Sequence, residues 1–320
     1  MLRRALLAIL LCNAALGFAE ERPRFASFTL ENDFFAGYDR HYTNGLQLAF
    51  VTPLASVPAA IRALPPFDRS ASPEVVFAVG QRIYTPVDIE APVPDPHDRP
   101  YAGWLYGLAD VQTRNDETID HVTITLGVVG PAALARQTQD TFHLLTGSER
   151  VEGWNSQLRN EPAFTLGLER AWPAIAHDRL GDYRTDLALR SGITLGNVLA
   201  YANVGAVWRV GTALPADFPA THISLGPPRD GFRGSGGETG WYAWLGADGR
   251  LVARNLFIDG NTFQDGPGVK REVRGYDLQW GVAVAWPLMR LSFTLVQRGR
   301  EFVGQGSPDR FGQLALSVPY

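Results

Sequence analysis

Cysteine, lysine and long apolar runs are scarce in this 320-residue sequence, and each scarcity excludes a class of protein. Cysteine occurs once, at Cys12, which excludes a disulfide scaffold and a cysteine-ligated zinc site. Lysine also occurs once, at Lys270, and a formal charge of −4 argues against a nucleic-acid partner. Beyond the first 20 residues, no apolar run approaches the roughly 18 residues that a membrane-spanning helix needs.

Residues 1–19 predict a cleaved secretory signal. Two arginines precede an apolar stretch, and Gly17-Phe18-Ala19 supplies a small-x-small cleavage site. We therefore expect the mature chain to begin at Glu20 and to contain no cysteine, because Cys12 lies within the signal. Residues 20–320 are expected to form one domain.

Apolar side chains alternate with polar or small ones along most of this domain. From Tyr276 to Trp286 every second residue is apolar, and the residues between are Asp, Gln, Gly and Ala. A period of two predicts strands with one apolar and one polar face. At the usual strand rise and tilt, the span from Tyr276 to Trp286 projects to about 25 Å, the height of the apolar band of a membrane barrel. The predicted fold class is therefore all-β, an antiparallel transmembrane β-barrel in the outer membrane.

The alternation predicts about twelve strands, and an even number is what a bacterial barrel requires. The predicted ranges are 24–31, 44–52, 74–83, 102–113, 118–129, 162–171, 183–195, 198–210, 240–258, 272–285, 288–299 and 310–319. The range 240–258 is ambiguous, because Asp248-Gly249 could form a turn and break the even count.

Residues 132–146 lack the alternation and predict a short helix in one extracellular loop. Gly130-Pro131 precedes the stretch and a glycine follows it, which is the usual punctuation of a helix. Arg136, Gln139 and His143 are spaced to form one polar stripe along this helix. Such a stripe is unexpected in a passive pore.

Polar motifs concentrate in three loops that lie on the same rim of the barrel if the first strand runs outward. In these loops the sequence resembles a known family. The motifs are Asn32-Asp33, Tyr42-Thr43, Gly130-Pro131 and the spacing Gln139-x₃-His143-x₅-Glu149-x₄-Trp154. The family is the lipid A 3′-O-deacylases of the outer membrane, the LpxR family, and the resemblance runs from Phe25 to the C-terminus. It implies a 12-stranded barrel and a Ca²⁺-dependent hydrolysis that releases the 3′ acyloxyacyl chain of lipid A. The implied partner is lipopolysaccharide of the outer leaflet within a lipid membrane, and we expect a monomer.

The chemistry of ester hydrolysis suits these residue types. The reaction needs an activated water and a stabilised oxyanion, and His143 is the candidate general base. Asp33 and Glu149 carry hard oxygen donors of the kind that Ca²⁺ prefers. Asn32 is expected to complete the metal shell or to donate to the oxyanion, and Thr43 to orient His143 or the water. A surface helix, ordinary turns and solvated loop acids would explain the same residues without catalysis.

Three further residues are candidates for substrate contact. Gln139, one helical turn before His143, serves either the substrate or the helix itself. Trp154 serves either the substrate or, more readily, an anchor at the membrane rim. The best-known form of the family carries a lysine in the second loop that residues 87–96 lack here, so either another residue replaces it or the substrate is handled differently. Arg99 is the candidate substitute, the alternative being an arginine buried in the lumen against acidic residues.

Two rival interpretations remain. An outer-membrane phospholipase A is the first, because His41-Tyr42-Thr43-Asn44-Gly45 weakly resembles the His-x-Ser-Asn-Gly of that family, with Thr43 at the position of the nucleophilic serine. A porin or another non-enzymatic barrel is the second. It explains the strands but not the polar residues clustered on one rim.

Overall fold

A computed structural model describes residues 25–37, 41–53, 73–147, 151–214 and 239–320, and confirms the twelve predicted strands. They are β1 (Phe25–Asn32), β2 (His41–Pro53), β3 (Glu74–Thr85), β4 (Ala102–Arg114), β5 (Ile119–Val129), β6 (Glu161–Leu180), β7 (Tyr183–Gly196), β8 (Leu199–Gly211), β9 (Gly240–Asn255), β10 (Arg274–Trp286), β11 (Met289–Arg298) and β12 (Asp309–Pro319). The predicted signal, residues 1–19, and the candidate ligand Glu149 lie outside the described residues.

The strands form one closed antiparallel barrel. Each strand pairs with the next along the chain, and β1 closes the ring by pairing with β12 in register from Phe25↔Pro319 to Asn32↔Gly312. The ambiguous range 240–258 contains a single strand, β9, which pairs continuously across Asp248-Gly249 with β10. Closure leaves no unpaired edge, so the backbone is satisfied without disulfides.

Exposure follows the alternation that the sequence predicts. On β10 the side chains of Tyr276, Leu278 and Trp280 are exposed on the outer wall. Asp277 and Gln279, between them, are buried in the lumen. The apolar face therefore points away from the barrel axis, as in a membrane barrel and unlike a soluble one.

Buried ion pairs between neighbouring strands fill much of the lumen. Arg209 lies 2.7 Å from Asp186, and Arg190 lies 2.8 Å from Asp248. Asp277 accepts hydrogen bonds from two arginines, on β9 and on β11. Charges in a low-dielectric interior need such partners, and the packed side chains do not favour a wide, water-filled pore.

The two rims of the barrel differ. One rim carries tight turns at 115–118, 181–182 and 287–288, which is typical of the periplasmic side. The opposite rim carries the loops 86–101, 130–160 and 256–273, which include helices α1 (Ala135–Thr146) and α2 (Leu256–Asp259). Within the described residues, no helix is long and apolar enough to cross a membrane.

Candidate active site

The ends of β1 and β2 at the loop-bearing rim carry polar side chains on the outer wall. Glu31 faces the lumen, where it accepts a hydrogen bond from the Tyr42 hydroxyl, so alternation turns the next residue, Asn32, outward. Asn44 is the cross-strand partner of Asn32 and shares its side of the sheet. Both side chains are buried, although outward residues elsewhere on the barrel are exposed.

A β-bulge adds two hydroxyl groups to the same wall. The ladder between β2 and β3 shifts register between Tyr42 and Asn44, so Thr43 is the extra residue. The Oγ1 atoms of Thr43 and Thr85 are 2.8 Å apart. Thr85 faces outward because Tyr84, before it, packs in the main buried core. Bulges often re-aim side chains beside active sites, and this one pairs a predicted site residue with Thr85.

Helix α1 packs against the outer side of β3 and β4. Gly103 on β4 permits the close approach, because a Cβ there would lie 2.4 Å from the Cβ of Ala135. Gln81 on β3 donates a hydrogen bond from Nε2 to the carbonyl oxygen of Ala133, at 2.6 Å. The helix therefore lies outside the barrel, at the level of the rim where the polar side chains gather.

The buried side of α1 carries Gln139 and His143, together with Ala135. Arg136, which the sequence analysis placed on the same stripe, is instead exposed and pairs with Asp140, so that part of the prediction is wrong. Four residues turn a helix by about 400° and three by about 300°, so Ala135 lies closer to the direction of Gln139 than Arg136 does. The buried stripe therefore begins one position earlier than the spacing suggested. The buried polar pair has the i, i+4 spacing of one helical face.

We call the set of polar side chains that are buried on the outer side of the barrel at this rim the crevice. They are Asn32, Thr43, Asn44 and Thr85 on the wall and Gln139 and His143 on α1. His143 lies in the last turn of the helix, and only 8% of its surface is exposed. The partial negative charge of a helix C-terminus suits a residue that takes up a proton during a reaction.

Trp154 orients Gln139 from a small apolar core outside the barrel. This core is formed by Ile83, Ile89, Tyr101, Ala135, Val151 and Trp154. The indole Nε1 donates to Oε1 of Gln139 at 2.9 Å, while Nε2 of Gln139 is buried without a partner among the described residues. Trp154 is buried and therefore forms neither a rim anchor nor an exposed platform for substrate. Its contact instead fixes a carboxamide whose donor is free.

Arg99 lies apart from the crevice. Its guanidinium is fully buried, stacks 4.5 Å from the ring centre of the lumen-facing Tyr84 and lies 3.1 Å from Glu301. Burial alone would raise the pKa of Glu301, but the charges of Arg298, Arg99 and Arg250 lower it below the ordinary value. This is the lumenal alternative of the sequence analysis, and it does not favour Arg99 as a substitute for the family lysine.

His41, the histidine of the phospholipase interpretation, connects the start of β2 to the start of β12 and to the loop before β4. Its Nδ1 lies 2.7 Å from Asp309 and its Nε2 lies 3.3 Å from Asp98. Burial alone would raise the pKa of Asp98, but hydrogen bonds from His41 and from the backbone N–H of Val87 lower it below the ordinary value. With His41 on two acids and Thr43 on Thr85, no nucleophile–base pair joins His41 to Thr43.

The oxygen donors on this rim can be compared with the ligands that Ca²⁺ prefers. Asp33 offers a buried carboxylate at the start of a 3₁₀ turn, and Asn32 caps that turn by accepting the N–H of Phe34 at 2.8 Å. The buried Oδ1 of Asn44 has no hydrogen-bond partner in the described part of the chain. Carboxylate and amide oxygens are the donors that Ca²⁺ takes, so this chemistry fits. The described residues contain no group of three or more His, Cys, Asp or Glu side chains suited to a metal.

The sequence analysis missed Asn44 and Thr85 as members of the site. The signal that could have found them is a polar residue at an outward position near the end of a strand. Both stand where the alternation of β2 and β3 would otherwise place lipid-facing apolar side chains.

Comparison with known proteins places the chain in a family. A family model described as outer membrane protein LpxR matches residues 5–320. The structure is similar to LpxR from Salmonella typhimurium, with a TM-score of 0.76 and 19% identity, covering 92% of this chain and 100% of that chain. It is also similar to the translocator domain of autotransporter NalP from Neisseria meningitidis, with a TM-score of 0.42 and 8% identity, covering 100% and 95%. No curated protein matches the sequence.

Proposed function

This chain belongs to the outer membrane protein LpxR family, and on that premise we propose that it is an outer-membrane lipid A deacylase. The proposed reaction is hydrolysis of the ester that links the acyloxyacyl chain to the 3′ position of lipid A. One observation carries the proposal: the buried polar residues of the crevice lie on the outer wall of the barrel, where most outward side chains are apolar and exposed. An ester held in the outer leaflet reaches that wall without leaving the membrane.

His143 is the proposed general base. It would take a proton from the attacking water and later pass it to the leaving alkoxide of the sugar. Thr43, whose hydroxyl is hydrogen-bonded to that of Thr85, would orient that water. The free Nε2 of Gln139 offers a hydrogen-bond donor to the oxyanion, a role that depends on the orientation given by Trp154.

Asp33, Asn32 and Glu149 are the proposed ligands of Ca²⁺. The bound ion would supply a Lewis acid that polarises the ester carbonyl. Asp33 would supply a negative charge to the cation, and the hydrogen bond from Phe34 fixes the Oδ1 of Asn32 beside it in the chain. Since the family lysine is missing and Arg99 is buried in the lumen, oxyanion stabilisation falls to the cation and Gln139.

A competition between two lipids tests the proposal. Purified protein would receive lipid A and a glycerophospholipid in one detergent mixture with Ca²⁺, and mass spectrometry would identify the products. We expect release of an acyloxyacyl fatty acid from the 3′ position, with the 2-position chains and the phospholipid intact. Equal cleavage of the phospholipid would favour the phospholipase interpretation, and no cleavage of either lipid would favour a non-enzymatic barrel.

A further inference from the structure

Asn44 carries a buried oxygen that nothing in the described structure satisfies. Its Oδ1 has no hydrogen-bond partner among the residues that the structure describes, and only 7% of the residue is exposed. A buried acceptor without a partner is costly, so each one in a native protein needs an explanation. An amide oxygen in this state requires either a hydrogen-bond donor or a cation from outside the described residues.

The position of Asn44 favours a cation. It pairs directly with Asn32 across the ladder of β1 and β2, and such partners on one face have Cβ atoms about 5 Å apart. The residue after Asn32 is Asp33, whose buried carboxylate begins the 3₁₀ turn. Three residues with hard oxygen donors, two on paired strands and one at the start of the following turn, therefore lie at one corner of the rim.

The number of donors points the same way. Ca²⁺ takes six to eight oxygen ligands, and these commonly include the carbonyl groups of Asn or Gln beside carboxylates. Asp33 and Asn32 supply too few without help from water or from further side chains. The Oδ1 of Asn32 also accepts the N–H of Phe34, which leaves it one lone pair for any other partner.

We infer that Oδ1 of Asn44 is a further ligand of the divalent cation bound at Asn32 and Asp33. The inference rests on the proposed function for the presence of that cation. It assigns to a neutral residue of β2 the task of joining the metal to the strand that carries Thr43. Loss of Asn44 would then weaken the metal site without removing any charge.

Calcium binding by the full-length barrel tests this inference without an activity assay. Calorimetry and the Ca²⁺-induced rise in the thermal unfolding midpoint would be measured for the wild type, Asn44→Ala and Asn44→Asp. Gln279→Ala is the matched control, because Oε1 of Gln279 is also buried without a partner in the described part of the chain but faces the lumen. Heat-modifiable migration on gels would show that each variant has assembled.

Asn44→Ala is expected to weaken Ca²⁺ binding at least about 10-fold and to reduce the thermal shift. Asn44→Asp should bind at least as tightly as the wild type, because a carboxylate replaces the amide oxygen. Gln279→Ala should behave as the wild type. Wild-type affinity in Asn44→Ala would overturn the inference. If that variant fails to assemble, weaker binding by Asn44→Asp would overturn it instead.

The failure of the metal proposal itself would look different. If the wild-type protein bound no Ca²⁺ at all, the cation would leave the proposed function and the inference with it. If Asp33→Ala lost binding while Asn44→Ala kept it, only the role of Asn44 would be wrong.

Discussion

The outer wall of this barrel presents two surfaces that the same strands build in different ways. Around most of the ring, outward side chains are apolar and exposed, as Val79 and Leu126 are at 52% and 63%. At the rim of β1 to β3, outward side chains are polar and buried, as Asn32 is at 4%. Lipid alone explains the first surface. A polar group buried on a lipid-facing wall has no such explanation, and it therefore marks the candidate site.

The largest effect expected in the crevice follows removal of the metal. A chelator should abolish deacylation and added Ca²⁺ should restore it, and Asp33→Ala should also lower activity strongly. The barrel should still assemble, because its stability resides in closed strand pairing. Asp88→Ala changes an exposed acid on the same rim and should leave the rate unchanged. Full activity in excess chelator would remove the cation from the mechanism.

The next largest effect is expected from a substitution on the wall beneath α1, compared with one on the exposed part of the same strand. Gly103→Val should push α1 off the wall, because even a Cβ would lie 2.4 Å from Ala135. A displacement of about 1 Å can cost on the order of 100-fold in rate. Gly107→Val is the control on the outward face of the same strand, where the nearest atom to a Cβ is 3.9 Å away. Equal rates for the two variants would show that the position of α1 does not matter.

The hydrogen bond from Trp154 to Gln139 should have a smaller effect. Trp154→Phe keeps an aromatic ring beside Tyr101 but removes the N–H that orients the carboxamide. We expect kcat to fall about 2- to 10-fold, the size of one ordinary hydrogen bond. Trp104→Phe is the matched control, because Nε1 of that lumenal tryptophan is buried without a partner. An equal loss in both variants would attribute the effect to packing.

The smallest effect is expected outside the crevice, where His41 joins the loops. The pKa of Asp98 is lowered in the folded protein, so its contribution to stability is complete above the ordinary value of about 4 and is lost as the pH falls through the lowered one. Hydrogen exchange at the amides of Val87 and Arg99, which donate to Asp98, would follow this loss. Loss of protection already above pH 4 would contradict the lowered pKa.

The fold was largely predictable from the sequence, because alternation is local and a closed barrel repeats it twelve times. Even β9 follows it, since Asp248 faces the lumen and pairs with Arg190 rather than forming a turn. Helix α1 was predictable from its flanking proline and glycine, although the position of Arg136 was not. What the pattern could not predict was contact between residues far apart in the sequence, such as Gln81 on β3 with Ala133 in the loop before α1.

The site was predictable only in part, for the same reason. The spacing of Gln139 and His143 places them together on one helical face, which is a local property. The burial of Trp154 and the lumenal contact of Arg99 with Glu301 depend on loops that are far apart in sequence. The contact of Thr85 with Thr43 could not be predicted, because it depends on the bulge at Thr43 that sets the register of β2 against β3.

Two histidines of this chain provide the most direct test that the crevice, and not the lumen, performs the hydrolysis. His143 lies in the crevice, whereas His121 is equally buried in the lumen, 2.9 Å from Asp110. His143→Gln should slow release of the 3′ acyloxyacyl chain at least about 100-fold, the usual contribution of a general base, while His121→Gln keeps nearly the wild-type rate. A His143→Gln variant as active as the wild type, in a correctly assembled barrel, would contradict this assignment.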